Sequence, residues 1–323
     1  MFIKIVYCLQ VNILQVITHP SSQQAEKINR LFTSFNIAAG AMLLLVIFLV
    51  TYICIKFRQK NNDAGDPPQT TGNNKLEALM IGVPFLMLAY FFYQTVSVER
   101  SVLPPVDKTR QPDVIITGHQ WWWEIEYPAS KVFTANEVHL PVGKHLLMEM
   151  RSADVIHDWW VPELGNKMDL IPNVKNYLWL DINSPGTYIG TCSEFCGQQH
   201  AWMRIKVIAQ NENDFNAWIT AHTNKAVLPN DSLARQGALL FQTKTCANCH
   251  RIQGTLAVSA IGPDLTHLAS RQEMLTGLLK MNEKNLAEWI SHPQQIKPGA
   301  HMPEFIFSKD SINAIAHYLA QLK

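Results

Sequence analysis

Residues 192–203 read Cys-Ser-Glu-Phe-Cys-Gly-Gln-Gln-His-Ala-Trp-Met and bring two thiols, an imidazole and a thioether into twelve positions. Soft thiolate and thioether ligands favour copper, and one Cys with a His and a weak Met is typical of a mononuclear electron-transfer copper site. Here the thiols are doubled, and each can bridge two metal ions. A second imidazole would complete a two-copper centre, and His157 is the candidate.

Cys192 and Cys196 have two possible roles besides copper binding. They can form a short disulfide, or they can help to hold a structural zinc ion. A disulfide requires neither His200 nor Met203. Zinc calls for a second histidine in a tight H-x₃₋₅-H spacing, which this segment lacks. The donor set therefore favours copper.

This segment, with His157 upstream, resembles the binuclear CuA site of subunit II of cytochrome c oxidase. The resemblance implies six copper ligands, with Glu194 acting through its backbone carbonyl: His157, Cys192, Glu194, Cys196, His200 and Met203. In that family the side chain at the glutamate position also reaches a magnesium ion at the boundary with subunit I. The same contact is the expectation for Glu194.

A second redox motif follows at residues 246–250, Cys-Ala-Asn-Cys-His. This C-x-x-C-H spacing is typical of covalent c-type haem attachment, because both thiols reach one porphyrin while the adjoining imidazole binds its iron. A thioredoxin-like cysteine pair would give no reason for the histidine and would be expected near a βαβ pattern. Cys246, Cys249 and His250 are thus predicted to hold haem c.

Methionines after the haem motif are candidates for the sixth iron ligand. Met302 lies between two prolines in the loop Pro298-Gly-Ala-His-Met-Pro303. Met274 and Met281 lie in segments predicted to be helical, which favours core positions for both. Met302 is therefore the predicted ligand, with His301 as the second candidate.

Two long uncharged runs precede these motifs, at residues 35–55 and 79–98. Each is long enough to cross a bilayer. Positive residues stay on the cytoplasmic side, and four lie between the two runs: Lys56, Arg58, Lys60 and Lys75. The chain is therefore predicted to cross a bacterial-type inner membrane twice, with everything after Val98 on the outer side.

Residues 1–20 carry a weak apolar stretch with one early lysine. This segment is predicted to be either a signal or leader peptide or an uncleaved peripheral segment.

Glu77 stands just before the second run, where a carboxylate is ordinarily an interfacial anchor. In the oxidases a glutamate at this place opens a proton pathway into subunit I, so the resemblance implies that role for Glu77.

The copper segment falls inside a β-rich region, residues 112–210, in which short apolar runs alternate with turn signals. The resemblance implies a cupredoxin-like domain at 101–225. After a polar stretch near residue 225 the chain becomes helical: Ile312, Ile315, Leu319 and Leu322 form one apolar stripe. Residues 226–323 resemble a class I cytochrome c, and residues 21–100 form the membrane hairpin.

Three successive tryptophans, Trp121 to Trp123, begin one predicted strand. Side chains alternate along a strand, so at least one of these indoles is expected to face solvent and form a contact patch. In the oxidase family the tryptophan at the position of Trp121 passes electrons into the copper site, and the resemblance implies this role here.

The sequence thus predicts a multidomain membrane protein with a two-helix transmembrane hairpin, an all-β cupredoxin-like CuA domain and an all-α class I cytochrome c domain. A formal charge of +1 gives no reason to invoke nucleic acid. The resemblance implies a cytochrome c oxidase subunit that passes electrons through haem c and CuA to the oxygen-reducing, proton-pumping subunit I, alongside other oxidase subunits. Its donor would be a soluble cytochrome c or a quinol:cytochrome c reductase complex. Two alternatives stay open at this point: a CuA-containing nitric oxide reductase, and a membrane-tethered carrier without subunit I.

Overall fold

The computed structural model describes residues 19–58, 72–103, 105, 107, 109–227, 229 and 231–323. The leader segment predicted at residues 1–20 lies almost entirely outside them. The described chain divides into two compact units. The smaller unit consists of residues 26–104, and the larger unit consists of residues 19–25 and 105–323.

The smaller unit contains two long helices, α1 (Gln23–Lys56) and α2 (Asn74–Val102). Both predicted spans lie inside these helices, and both helices are long and apolar enough to cross a membrane. The side chain of Asn73 caps α2 by accepting hydrogen bonds from the first free backbone N–H groups. Phe35 and Phe91 make an edge contact between the helices at 5.4 Å.

The larger unit begins with two five-stranded sheets. Their strands are β1 (Val114–His119), β2 (Trp122–Tyr127), β3 (Val132–Ala135), β4 (Glu137–Pro141), β5 (His145–Ser152), β6 (His157–Trp160), β7 (Met168–Leu170), β8 (Asn176–Asp181), β9 (Gly186–Cys192) and β10 (Arg204–Gln210). One sheet has the order β3-β2-β1-β5-β8 and the other β4-β10-β9-β6-β7. The predicted all-β domain is confirmed.

Every second side chain along the strands points into the space between the two sheets and fills it. In β2, Trp123, Ile125 and Tyr127 are buried while the residues between them are partly exposed. Such a period of two sends every second side chain into one core. Helix α3 (Glu212–Thr223) follows β10, and its Trp218 packs against that core.

The remainder contains α4 (Ser232–Thr243), α5 (Glu283–Ser291), α6 (Pro293–Ile296) and α7 (Lys309–Leu319), with a small hairpin of β11 (Glu273–Met274) and β12 (Leu279–Lys280). Helices α4 and α7 cross where Gly237 lies against the carbonyl of Ala314, and Phe241 packs on Tyr318 beside the crossing. Asp231 and Ser308 cap these two helices.

The helical prediction for Met274 and Met281 is wrong. Met274 ends β11, and Met281 lies in a bend after β12. Leu275 and Thr276 adopt positive φ angles of 55° and 59°, which a right-handed helix does not allow. Met274 is nevertheless buried, as a core position requires.

Candidate copper and haem sites

The copper segment is held at both ends by the sheet. Cys192 is the last residue of β9, Met203 directly precedes β10, and these two strands pair antiparallel. The backbone N–H of Cys192 donates to the carbonyl of Met203 at 3.0 Å, which closes the loop. His157 opens β6, the other neighbour of β9, and the pairing of Trp159 with Cys192 brings its imidazole to the loop.

All six predicted donors come together at this place. Cys192 Sγ lies 3.8 Å from Cys196 Sγ, 3.9 Å from His157 Nδ1 and 3.2 Å from the carbonyl oxygen of Glu194. Cys196 Sγ lies 3.6 Å from His200 Nδ1 and 3.7 Å from Met203 Sδ. His157, Cys192 and Cys196 are buried.

The bend inside the loop depends on Gly197. Its φ of +117° is a conformation that residues with a side chain rarely adopt. A Cβ there would also lie 2.9 Å from the ring of Trp121. This bend turns the carbonyl of Cys196 toward two donors, Gln120 Nε2 at 2.7 Å and Trp121 Nε1 at 2.9 Å.

The electrostatics of the site favour ionisation of one of the two thiols, Cys192. Hydrogen bonds from Cys196 and His157 outweigh burial and lower the pKa of Cys192 to about 3. The pKa of Cys196 is raised because its thiol donates to that first thiolate and because it is buried. Thiolates are the form that binds metal.

Asp154 fixes the orientation of His157. Its Oδ1 lies 2.8 Å from His157 Nε2, which leaves Nδ1 facing Cys192. Burial lowers the pKa of His157, but the hydrogen bonds to Asp154 and Cys192 oppose it and leave the pKa above its usual value. A carboxylate on the outer nitrogen of a metal-binding histidine is a recurrent arrangement that sets its tautomer.

The donor set fits two copper ions better than one zinc ion or a disulfide. Both cysteines are free, so neither is engaged in a disulfide. Donor atoms of His157, Cys192 and Cys196 all lie within 4.8 Å of one another. A tetrahedral zinc site uses four ligands, whereas six donors converge here, five from the loop and one from His157. They include a thioether, which is a soft ligand.

The haem motif lies beside a large apolar cavity. A short 3₁₀ helix, Cys246–Asn248, precedes Cys249 and His250, and both cysteines and the histidine line the cavity. His250 Nδ1 lies 2.8 Å from the carbonyl of Pro263, an arrangement in which Nδ1–H donates and Nε2 is free for iron. Burial lowers the pKa of His250, which favours the neutral, ligating form.

Met302 lines the same cavity and packs against the cytochrome core. His301, the second candidate, is exposed, and its ring lies 5.4 Å from that of Trp121. Apolar side chains of Leu265, Leu286 and Ile315 also line the cavity. Two cysteines, an imidazole, a thioether and apolar walls are the groups that a covalent haem requires, so the residues fit it.

The cavity is also lined by residues of the copper domain, among them Trp121. Trp121 is 7% exposed and Trp123 is fully buried, so neither of these two is the solvent-facing indole that strand alternation predicts. Trp122, its neighbour, is half-buried and stacks on His119. The cytochrome segment that contains His301 covers Trp121 in place of solvent.

Two basic residues at these sites were not found from the sequence. Arg271 lines the haem cavity, and its buried Nε has no hydrogen-bond partner among the described residues. Lys297 donates from Nζ to the carbonyl of Trp121 at 2.8 Å. Neither residue belongs to a spacing pattern that would have marked it. By contrast Glu77, for which the sequence suggested a role, lies in the first turn of α2.

Two parts of the chain match known protein families. Residues 129–210 match the periplasmic domain of cytochrome c oxidase subunit II, and residues 234–323 match cytochrome c. Cytochrome c oxidase subunit 2 of Alkalihalophilus pseudofirmus is 33% identical over 297 residues, which cover 89% of this chain and 85% of that protein. The chain belongs to the cytochrome c oxidase subunit 2 family.

A second relative and one solved domain are also similar to this chain. The subunit 2 of Bacillus subtilis is 28% identical over 297 residues, covering 86% of this chain and 83% of that protein. The solved periplasmic domain of cytochrome oxidase subunit II from Bradyrhizobium japonicum is 30% identical, with a TM-score of 0.34, and covers 35% of this chain and 95% of that domain. The relative from Alkalihalophilus pseudofirmus and the cytochrome c match together show an oxidase subunit 2 with a cytochrome c domain, as the sequence predicted.

Proposed function

We propose that this chain takes electrons from a donor at a covalent haem c and passes them through a binuclear CuA centre to the oxygen-reducing, proton-pumping subunit I of a haem-copper oxidase. One observation carries the proposal. The indole Nε1 of Trp121 donates to the carbonyl of Cys196 at 2.9 Å, and its ring contacts His301, the residue before Met302. One side chain thus touches both ligand loops.

The residues that would hold the two groups follow from the geometry. The copper ligands would be His157, Cys192, Glu194 through its carbonyl, Cys196, His200 and Met203. The haem would be held by Cys246, Cys249, His250 and Met302. When bound, the two groups would supply one-electron transfer chemistry.

The protein's contribution is rigidity. The copper loop is anchored at both ends by paired strands, and the Cys196 carbonyl is fixed by two hydrogen bonds. Supported elements hold a site more tightly than free loops do. Ligands that stay in place when the charge changes lower the reorganisation that electron transfer must overcome.

The membrane and partner assignments rest on the family. Relatives named cytochrome c oxidase subunit 2 support a membrane complex in which helices α1 and α2 span the bilayer and the redox domains lie on the outer side. Glu194, whose side chain is exposed beside Cys192, would reach magnesium at the contact with subunit I. The donor would be a soluble cytochrome c or a quinol:cytochrome c reductase complex. The domain limits 101–225 and 226–323 belong to the same proposal.

The test compares the copper content, the haem content and the EPR spectrum of the purified full chain with those of its Cys196→Ser variant. We expect two coppers per covalent haem in the unchanged chain, with an EPR signal from one unpaired electron shared between both coppers. The variant should lose that signal and keep its haem spectrum. A single copper, a zinc ion or a disulfide between Cys192 and Cys196 would refute the relay and favour a tethered carrier.

The role of Glu77 is tested separately, in the assembled complex. Replacement by Ala should slow proton uptake and turnover while the copper and haem spectra stay unchanged. Replacement of Glu99, an acidic residue near the other end of α2, is the matched control. Unchanged proton uptake in Glu77→Ala would reduce this carboxylate to an interfacial anchor.

A further inference from the structure

Between α6 and Met302, residues 297–302 form a loop of the cytochrome domain that lies directly on the copper domain. Gln199 Nε2 donates to the carbonyl of Pro298 at 2.5 Å, and Gly299 lies against the side chain of Gln198. Gln199 belongs to the copper loop, three residues beyond Cys196. The segment that ends at the predicted iron ligand therefore rests on the segment that carries the copper ligands.

Gln294, in the preceding helix α6, holds this loop in shape. Its Nε2 donates to the carbonyls of Ala300 at 2.8 Å and Met302 at 2.9 Å, and its Oε1 accepts from Gly299 N at 3.0 Å. These three hydrogen bonds to the side-chain amide of Gln294 define the conformation of the loop. These hydrogen bonds do not determine where the loop lies on the copper domain.

Lys297 connects the loop to the copper domain. The residue is 5% exposed, and its Nζ donates to the carbonyl of Trp121 at 2.8 Å. Burial lowers its pKa to about 8. Burying an ammonium group costs several kcal/mol before its interactions are counted, so its place at a domain boundary indicates a specific contact.

Trp121 is thereby held at both ends. Its carbonyl accepts from Lys297 of the cytochrome domain, and its indole donates to Cys196 of the copper loop. We propose that Lys297 is a positioning residue, which fixes the Met302 loop against Trp121 and so sets the rate of electron transfer from haem c to CuA. This inference rests on the proposed function.

Several contacts besides that of Lys297 join the two domains. The carboxylate of Glu137 accepts from the backbone N–H groups of Gln272 and Glu273, each at 3.2 Å, and Lys206 pairs with Glu273. Thr276 also donates to the carbonyl of Trp202. Replacement of Lys297 should therefore loosen one loop and leave the domains docked.

The experiment compares Lys297→Met with the unchanged full chain, loaded with copper and haem. Met keeps the length of the side chain but removes the charge and the donor. Light-triggered reduction of the haem gives the rate of the internal electron transfer. We expect this rate to fall about tenfold or more, because a misplacement of about 1 Å can cost on the order of 10²-fold where rate depends on geometry.

Three further measurements separate positioning from general damage. Hydrogen exchange of the amides in residues 299–302 should accelerate in Lys297→Met, whereas the CuA EPR signal and the methionine-to-iron band should not change. Lys297→Arg, which keeps a charged donor, should recover most of the rate. Lys284→Met removes an exposed lysine of the same domain and should behave as the unchanged chain.

An unchanged transfer rate in Lys297→Met, with normal spectra, would overturn the positioning role. Equal losses in Lys297→Met and Lys284→Met would also overturn it, because the effect would then follow net charge. If the unchanged chain lacks either the two-copper signal or the covalent haem, the proposed function itself fails, and that result is distinct from failure of the positioning role.

Discussion

Asp154→Asn tests whether the outer contact of His157 tunes the copper site. The aspartate Oδ1 lies 2.8 Å from His157 Nε2. It also accepts a backbone hydrogen bond from Val155, while its Oδ2 accepts one from Gln120. Asn retains one oxygen acceptor but removes the negative charge. With its oxygen toward His157 and Val155, the amide nitrogen of Asn replaces Oδ2 and cannot accept from Gln120. We therefore expect the imidazole to lose a charge-assisted hydrogen bond and the Gln120 contact to be lost with it.

The size of the effect follows from that contact. Loss of an outer partner of a metal-binding histidine typically costs about 10- to 100-fold in metal affinity, equal to about 1.4–2.7 kcal/mol. The Asp154 side chain is 28% exposed. Water can replace part of a partly exposed interaction, so we expect the lower part of the range, about 10- to 30-fold.

The assay is competition for copper between the purified full chain and a series of chelators of graded affinity. The Asp214→Asn variant, which changes an exposed carboxylate on α3, is the matched control. Copper affinity of Asp154→Asn within about twofold of the control would refute the reasoning. A loss of haem together with copper would instead show that the substitution disturbs the fold.

Three more substitutions test the cytochrome domain. Gly262→Ala would bring a Cβ to 2.7 Å from His250 Cε1, and because overpacking typically costs about 1–3 kcal/mol we expect less covalent haem and a shifted Soret band. Met302→Ala should abolish the methionine-to-iron band and leave the copper content unchanged. His317 lies 3.0 Å from Glu283 and 3.3 Å from Asp231, and its hydrogen bond to Glu283 raises its pKa, so its contribution to stability is complete below the unfolded pKa and is lost as pH rises through the folded value. His317→Gln should therefore lower the melting temperature at pH about 5.5 but not at pH about 8.5.

Each of these expectations has a result that contradicts it. A normal haem content and spectrum in Gly262→Ala would mean that the His250 ring is free to move aside. A persistent methionine band in Met302→Ala would transfer the ligand role to Met274 or Met281. A melting difference for His317→Gln that grows toward high pH would reverse the sign of the proposed interaction.

The helical prediction for Met274 failed for a reason that lies far along the chain. Gln272 and Glu273 donate their backbone N–H groups to the carboxylate of Glu137, more than 130 residues earlier. Those N–H groups are fixed by the other domain, and positive φ angles at Leu275 and Thr276 then turn the chain. Local apolar spacing contains no information about such a partner, so propensity was overridden by tertiary contact.

Trp121 illustrates the same limit. Strand alternation separated Trp121 and Trp123 from Trp122, and both are indeed buried. The pattern could not show that a second domain covers Trp121, because burial between domains leaves no periodic trace along either segment. The tryptophan at the position through which electrons are expected to enter the copper site is therefore closed to solvent.

The sequence alone determined the chemistry: the thiols, imidazoles and thioethers, their spacing in two short motifs, and two uncharged runs long enough to span a bilayer. Covalent connection brings Cys192, Cys196, His200 and Met203 into one loop, whatever the rest of the chain does. Only the tertiary structure decided which side chains meet across distance. The contact of Lys297 with Trp121 joins residues 176 positions apart, and such a contact depends on the complementarity of two folded surfaces.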